Sequence, residues 1–283
     1  MFSISDFLGI KKKDRNLVYN IYFLYLVSGM LANAIGSILR YLHDDAVGYG
    51  FSASFQGTLS SISQTGNFLA LFLAGYLPFA IGRKNSTVIL ISAEVLGFLL
   101  MALTGNPYLL IAAFILVGIG RGTVSNVTNV VIGEFAENKV AGLNFLHATF
   151  AIGAVLSPML MAAVGPERWR LPVIIISLLL LFAVILLAFS SLSNRRGTKD
   201  NEDLSFPRSL NFWMNTIMLF FYLCVEASLM SYLVSYYLYS DIFNDAASNM
   251  MASVLWLAIL AGRLACAFLP ARTNKKVLVL SLG

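Results

Sequence analysis

Apolar residues in this chain do not alternate with polar ones; they run on in blocks of about twenty or more, each bounded by a short polar burst. Such blocks match the roughly 20 helical residues that cross a bilayer's hydrocarbon layer. Eight can be marked, at 17–39, 54–80, 85–103, 108–132, 141–164, 171–192, 211–238 and 246–270, and Val277 to Gly283 opens a ninth. Each is expected to be helical, because lipid offers backbone N–H and C=O groups no partner. Barrel strands are excluded, since they alternate over about ten residues. The predicted fold class is an all-α polytopic membrane protein. A complete six-helix bundle occupies 1–192 and a solvated linker 193–210. The segment 211–283 supplies two helices and the start of a third of an incomplete second bundle.

Composition agrees: 58% of the residues are hydrophobic and 12% charged, about half the charge of a typical soluble domain. Cys224 and Cys266 both fall inside apolar runs, which offers neither a disulfide framework nor a metal spacing. A net charge of +5 raises the question of nucleic acid, but the basic residues sit at span ends and build no groove. Lys11, Lys12, Lys13 and Arg15 precede 24 uncharged residues, too long for a signal core, so a retained first span is expected. With the N-terminus in the cytoplasm, fourteen Lys and Arg fall inside and three outside, the distribution that the positive-inside rule requires. The segment Gly165 to Arg170 is the discordant one.

Charges within spans cost about 2.5–3.5 kcal/mol on insertion scales, so they mark function or pairing. Glu94, Arg121, Glu226 and Arg263 are such residues, and His147 adds a titratable group. Glu94 and Arg121 stand at matching depths in spans three and four, which allows either an orienting ion pair or a cavity-facing arginine. Gly118, Arg121, Gly122, Ser125 and Asn129 share one helical face in span four. Gln56, Ser60, Ser63 and Asn67 trace a similar stripe in span two, beside Gln64. Such stripes line a solute path or bond neighbouring helices. Glu226 shares a face with Tyr222 and Tyr237; it and Glu94 are candidates for proton coupling, because intramembrane carboxyl groups serve as proton relays. Arg263, nearer the end of its span, is read as mainly structural. His147 and Trp256 are each either packing residues or solute contacts.

Two stretches carry a family resemblance. The loop after span two reads Gly75-Tyr-Leu-Pro-Phe-Ala-Ile-Gly82-Arg83-Lys84, and six spans later come Gly262-Arg263-Leu264 and further basic residues. Together they resemble the repeated cytoplasmic signature of the major facilitator superfamily. Phe79 and Ala80 stand where the family places an acid and its first base, a departure in the charge relay that holds the cytoplasmic gate. Gly118 to Gly122 looks like the family's arginine-bearing helix. Span five, Asn144 to Pro158, and Glu226 in span seven are similar to the fucose/hexose-type sugar porter branch. The resemblance implies twelve helices in two halves with a solute site between them, so the chain is expected to be C-terminally truncated. The resemblance places Arg121 in the cavity, and with the residues read above the candidates for solute binding or coupling are Arg121, Glu226, Glu94, Asn129, His147, Asn67, Gln64 and Trp256. Gly75, Gly82, Arg83, Lys84, Gly262 and Arg263 form the gate motif.

No phosphate loop, zinc-protease helix, nucleophile elbow or paired-cysteine site is present in the sequence, so neither an enzyme nor a cofactor or metal is expected. The implied function is secondary active transport of a small, polar, sugar-like solute by alternating access. Expected partners are the bilayer, the solute, and a proton or sodium as coupling ion, with no nucleic acid; the expected location is the cell membrane. A drug or metabolite exporter, a non-transporting membrane sensor and a gene fragment are the alternatives.

Overall fold

A computed structural model describes residues 4–44, 48–196, 208–240 and 245–268; the side chains at 162, 166, 226–235, 238–239, 245–250 and 252 are outside the description. A one-turn helix α1 (Ile4–Phe7) precedes α2 (Arg15–His43), α3 (Ala53–Ile81), α4 (Arg83–Leu103), α5 (Pro107–Phe135), α6 (Lys139–Val164), α7 (Arg170–Ala188), α8 (Leu210–Tyr239) and α9 (Asp245–Ala267). The chain is an all-α polytopic membrane protein. Among the described residues six helices, α2 to α7, are long and apolar enough to cross a membrane. Helices α8 and α9 contribute apolar stretches at Leu210–Val225 and Ser253–Ala267. The expected ninth span, together with Lys199, Arg272, Lys275 and Lys276, lies outside the described residues.

Local chemistry sets the helix ends. Ser52 caps α3 by accepting from the Phe55 N–H at 3.2 Å. Asn106 caps α5 from the Tyr108 N–H at 2.9 Å, with Pro107 at the first helical position. Asn138 caps α6 through Ala141. Each such cap contributes about 1 kcal/mol. Gly82, at φ +86°, turns the chain between α3 and α4, a left-handed conformation that L side chains rarely adopt.

Helices α2 to α7 pack as one bundle. Helix α5 lies against α3, α4 and α2; α6 lies against α2, and α7 against α4 and α2. Lipid is as apolar as leucine, so the helices gain by close van der Waals approach rather than by leaving water. Gly66 and Gly118 provide that approach at the α3–α5 crossing: a Cβ on Gly118 would collide with the Ser63 carbonyl, and one on Gly66 with the Ile115 carbonyl. Gly29 and Gly153 play the same part between α2 and α6. Helix α9 seats on α6, and α8 packs on α9. The one-turn helix α1 was not foreseen; it tucks beneath the α5–α6 loop, where the Leu8 carbonyl accepts from the Glu137 N–H at 3.0 Å.

The segment Gly165 to Arg170, discordant in the charge count, holds its cation locally. The Arg170 guanidinium donates to the Tyr49 hydroxyl at 2.8 Å and lies over the Tyr49 and Trp169 rings at 5.4 Å each. Aromatic faces hold this cation in place.

Candidate functional site

One end of the bundle collects Lys11–Lys13, Arg83, Lys84, Lys139, Arg195 and Arg196, and is called the basic end below. Counting inward at 1.5 Å per residue, several polar side chains from different helices lie well inside the bundle. Tyr25 on α2 and Ser125 on α5 stand about 15 Å from the basic ends of their helices, His147 on α6 about 12 Å and Arg121 about 21 Å.

Tyr25 is the centre of this cluster. Its hydroxyl lies 3.5 Å from His147 Nδ1, and the two rings meet edge to face at 5.6 Å. Ser125 and Asn129 approach the same hydroxyl, with Arg121 and Arg263 in electrostatic range. Asn129 also donates from Nδ2 to the Ser125 carbonyl at 2.6 Å. The Tyr25 ring continues onto Phe150 at 5.1 Å, and Phe150 onto Trp256 of α9 at 5.5 Å. Trp256 is buried against Ala151 and Ala154, and its Nε1 has no hydrogen-bond partner among the described residues. A site of this kind offers a cation, hydroxyls, an amide and an imidazole beside aromatic faces, which suits a neutral or partly anionic polar molecule.

Glu94 is close by but separate. It is fully buried in α4, neither carboxyl oxygen has a hydrogen-bond partner among the described residues, and Gly120 of α5 packs on its Cβ. Arg121 is in electrostatic range of it, yet the ion pairs within 4 Å among the described residues are Arg15–Asp6 and Arg83–Glu134. Of the two alternatives for Glu94 and Arg121, the direct ion pair is not formed, because α5 presents Gly120 rather than Arg121 to the carboxylate stem.

The span-four face divides in the structure. Gly118 and Gly122 pack against Ser63, Asn67 and Ala70 of α3, whereas Arg121, Ser125 and Asn129 turn toward Tyr25. The span-two stripe divides likewise: Ser63 is buried at the α3–α5 crossing, Asn67 lies against Gly122, and Gln56 donates to the Leu39 carbonyl at 2.8 Å. Ser60 and Gln64 are exposed. Glu226 lies in α8, with its side chain outside the described residues.

The motif at the basic end is a clasp. One terminal nitrogen of Arg83, Nη1, donates to both Glu134 oxygens at 3.0 and 2.7 Å. Lys84 Nζ donates to the Ser190 carbonyl at 2.8 Å, the Arg83 N–H to the Arg195 carbonyl at 3.2 Å, and the Asn85 N–H to Asn194 Oδ1 at 3.1 Å. A Cβ on Gly82 would strike Asn194. Arg83, Arg195 and Arg196 also line a cleft of about 410 Å³ between α3, α4 and α5. Gly75 and Gly262 face open space. Arg263, read as mainly structural, reaches the Tyr222 hydroxyl at 3.4 Å and stands in range of His147.

Tyr25 and Tyr222 are the residues the sequence did not single out as site groups. The available signal was depth: a tyrosine ten residues inside a span is away from the interfacial belt where its hydroxyl normally finds water.

Comparison with known proteins follows the same line. A family model described as Major Facilitator Superfamily matches residues 21–283. The galactose-proton symporter of Escherichia coli K12 is 30% identical over 186 residues, covering 62% of this chain and 39% of the symporter. The glucose/mannose transporter GlcP of Bacillus subtilis is 24% identical over 277 residues, 89% of this chain and 66% of that protein. A class H tetracycline resistance protein of Pasteurella multocida is 26% identical over 220 residues, 70% and 54%. The chain spans less than two thirds of the length of each of these relatives.

Proposed function

The chain belongs to the major facilitator superfamily, and on that premise we propose that it takes part in secondary transport of a small, polar, sugar-like solute. The observation that carries this reading is the mid-depth cluster of Tyr25, Arg121, Ser125, Asn129 and His147, approached from α9 by Arg263. A sugar ring needs several donors and acceptors beside an apolar face, and the Tyr25–Phe150–Trp256 series supplies the face. The similarity to a galactose-proton symporter and to a glucose/mannose transporter favours the same solute class.

In this reading the bundle of α2 to α7 rocks against the unit begun by α8 and α9, and the solute site lies between them. The basic end faces the cytoplasm of the cell membrane. Arg121 holds the solute, and Glu94 or Glu226 carries the coupling proton. The Arg83–Glu134 clasp braces the cytoplasmic side in one conformation.

Export of an apolar metabolite is the second reading, and the similarity to a tetracycline resistance protein favours it. Reconstitution separates the two. Vesicles containing the chain, given an imposed pH gradient, are tested against labelled hexoses and against apolar drugs. Saturable hexose uptake supports the sugar reading; drug flux without hexose flux overturns it.

A further inference from the structure

A groove on the outside of the bundle takes no part in transport as described above. It runs between the start of α2 and the end of α7 and has a volume of about 610 Å³. Its walls change character along the helix axes. Lys13, Asn16 and Ser190 line it at the basic end beside the Phe189 ring, whereas Phe23, Phe182 and Leu186 line it further in. Phe23 stands eight residues, about 12 Å, inside the first residue of α2, and Phe182 about 9 Å inside the last residue of α7. This order of charge, then amide and hydroxyl, then aromatic and aliphatic surface follows the layers of one bilayer leaflet.

Between the two zones sits Asn20. It also lines the groove, is 7% exposed, and has no hydrogen-bond partner among the described residues at either Nδ2 or Oδ1. A buried amide left with both ends unpaired is unfavourable, and such groups normally have a partner. The occupant must therefore bring both a donor and an acceptor to a point about 7.5 Å inside the start of α2. Water alone would meet that need, but it would leave Phe182 and Leu186, both exposed, without an apolar neighbour. A phospholipid whose head group carries a hydroxyl meets both needs: its ester carbonyls accept, the head hydroxyl folded back past the phosphate donates, and its chains cover the apolar wall.

We propose that this groove binds an anionic glycerophospholipid with a hydroxyl-bearing head, in the leaflet at the basic end. The phosphate lies against Lys13. Ester carbonyl oxygen accepts from Asn20 Nδ2 and a hydroxyl donates to Oδ1, while one acyl chain follows Phe23, Phe182 and Leu186. The positive charge selects an anionic head over a zwitterionic one. Lys84 adds charge behind the site, since its ammonium is held on the Ser190 carbonyl.

The test places the full chain in nanodiscs of equal phosphatidylglycerol and phosphatidylcholine, and native mass spectrometry then counts the lipids each protein keeps on release. Wild type is expected to retain phosphatidylglycerol about fivefold over phosphatidylcholine, the preference one lysine supplies. Lys13→Ala removes that preference, and Asn20→Leu lowers retention of both lipids. Lys139→Ala, an exposed cation at the same end on α6, changes neither. Thermal unfolding confirms that each variant is folded; Asn20→Leu is expected to fold because it removes an unpaired amide. Equal retention of the two lipids by wild type overturns the proposal. So does wild-type retention in both groove variants, or a loss in Lys139→Ala as large as that in Lys13→Ala.

Discussion

The loop that joins α3 to α4 and the region of Glu94, Arg121 and Trp256 beside the Tyr25 cluster draw on the same residue types and leave them in opposite conditions. At the loop, Arg83 is matched by Glu134, Lys84 by the Ser190 carbonyl, and the backbone by Arg195 and Asn194. Nη2 of Arg83 is the open group there. Deeper in the bundle, Arg121 and Glu94 form no ion pair within 4 Å, and neither Glu94 oxygen nor Trp256 Nε1 has a hydrogen-bond partner among the described residues. A polar group satisfied by its own chain holds a conformation. One left unsatisfied in a low-dielectric setting retains affinity for something that arrives later, whether solute, proton or water. On the proposed reading, the loop braces the bundle and the cluster, with Glu94 and Trp256 beside it, binds.

The largest effect is expected at the cluster. Arg121→Leu should lower solute binding by about 10- to 100-fold, the range for losing a charge-assisted hydrogen bond, while the chain stays folded in detergent. Equal loss of folded protein would instead make Arg121 a bracing residue and collapse the distinction. Next comes the crossing that positions α5. Gly118→Val should destabilise the bundle by about 1–3 kcal/mol, seen as a lower unfolding temperature and poorer monodispersity, because its Cβ meets the Ser63 carbonyl.

These two positions also show how far the sequence could be read. The span bounds agree closely with the helices: 54–80 against Ala53–Ile81, and 108–132 against Pro107–Phe135. Apolar length, together with capping residues such as Asn106, is local information. The faces were less legible. Gly118, Gly122 and Arg121 fall on one helical arc, and nothing local shows that the glycines meet α3 while the arginine turns toward Tyr25. Arg263 lay at a span end, and its reach to Tyr222, 41 residues earlier, is a tertiary fact. Tyr25 went unnoticed because one tyrosine among twelve carries no signal until its depth is set against its neighbours.

A smaller effect sharpens the comparison at Glu94. Glu94→Gln keeps shape and removes charge, so it should leave folding nearly unchanged. Stimulation of uptake by a pH gradient should be lost if Glu94 carries the proton, and kept if Glu226 does. Retention in both Glu94→Gln and Glu226→Gln would remove the proton-carrier proposal. The smallest effect belongs to the clasp. Arg83 and Glu134 side chains are 30% and 45% exposed, so a double-mutant cycle with Ala at each should give a coupling of about 0.2–1 kcal/mol, reduced by salt.

The most direct test of the account measures equilibrium binding of a labelled hexose panel to the purified chain, comparing wild type with Arg121→Leu and Arg83→Ala. The account predicts saturable hexose binding that Arg121→Leu weakens by about 10- to 100-fold and Arg83→Ala preserves. Binding untouched by Arg121→Leu, or no binding of any hexose by folded wild type, would contradict it.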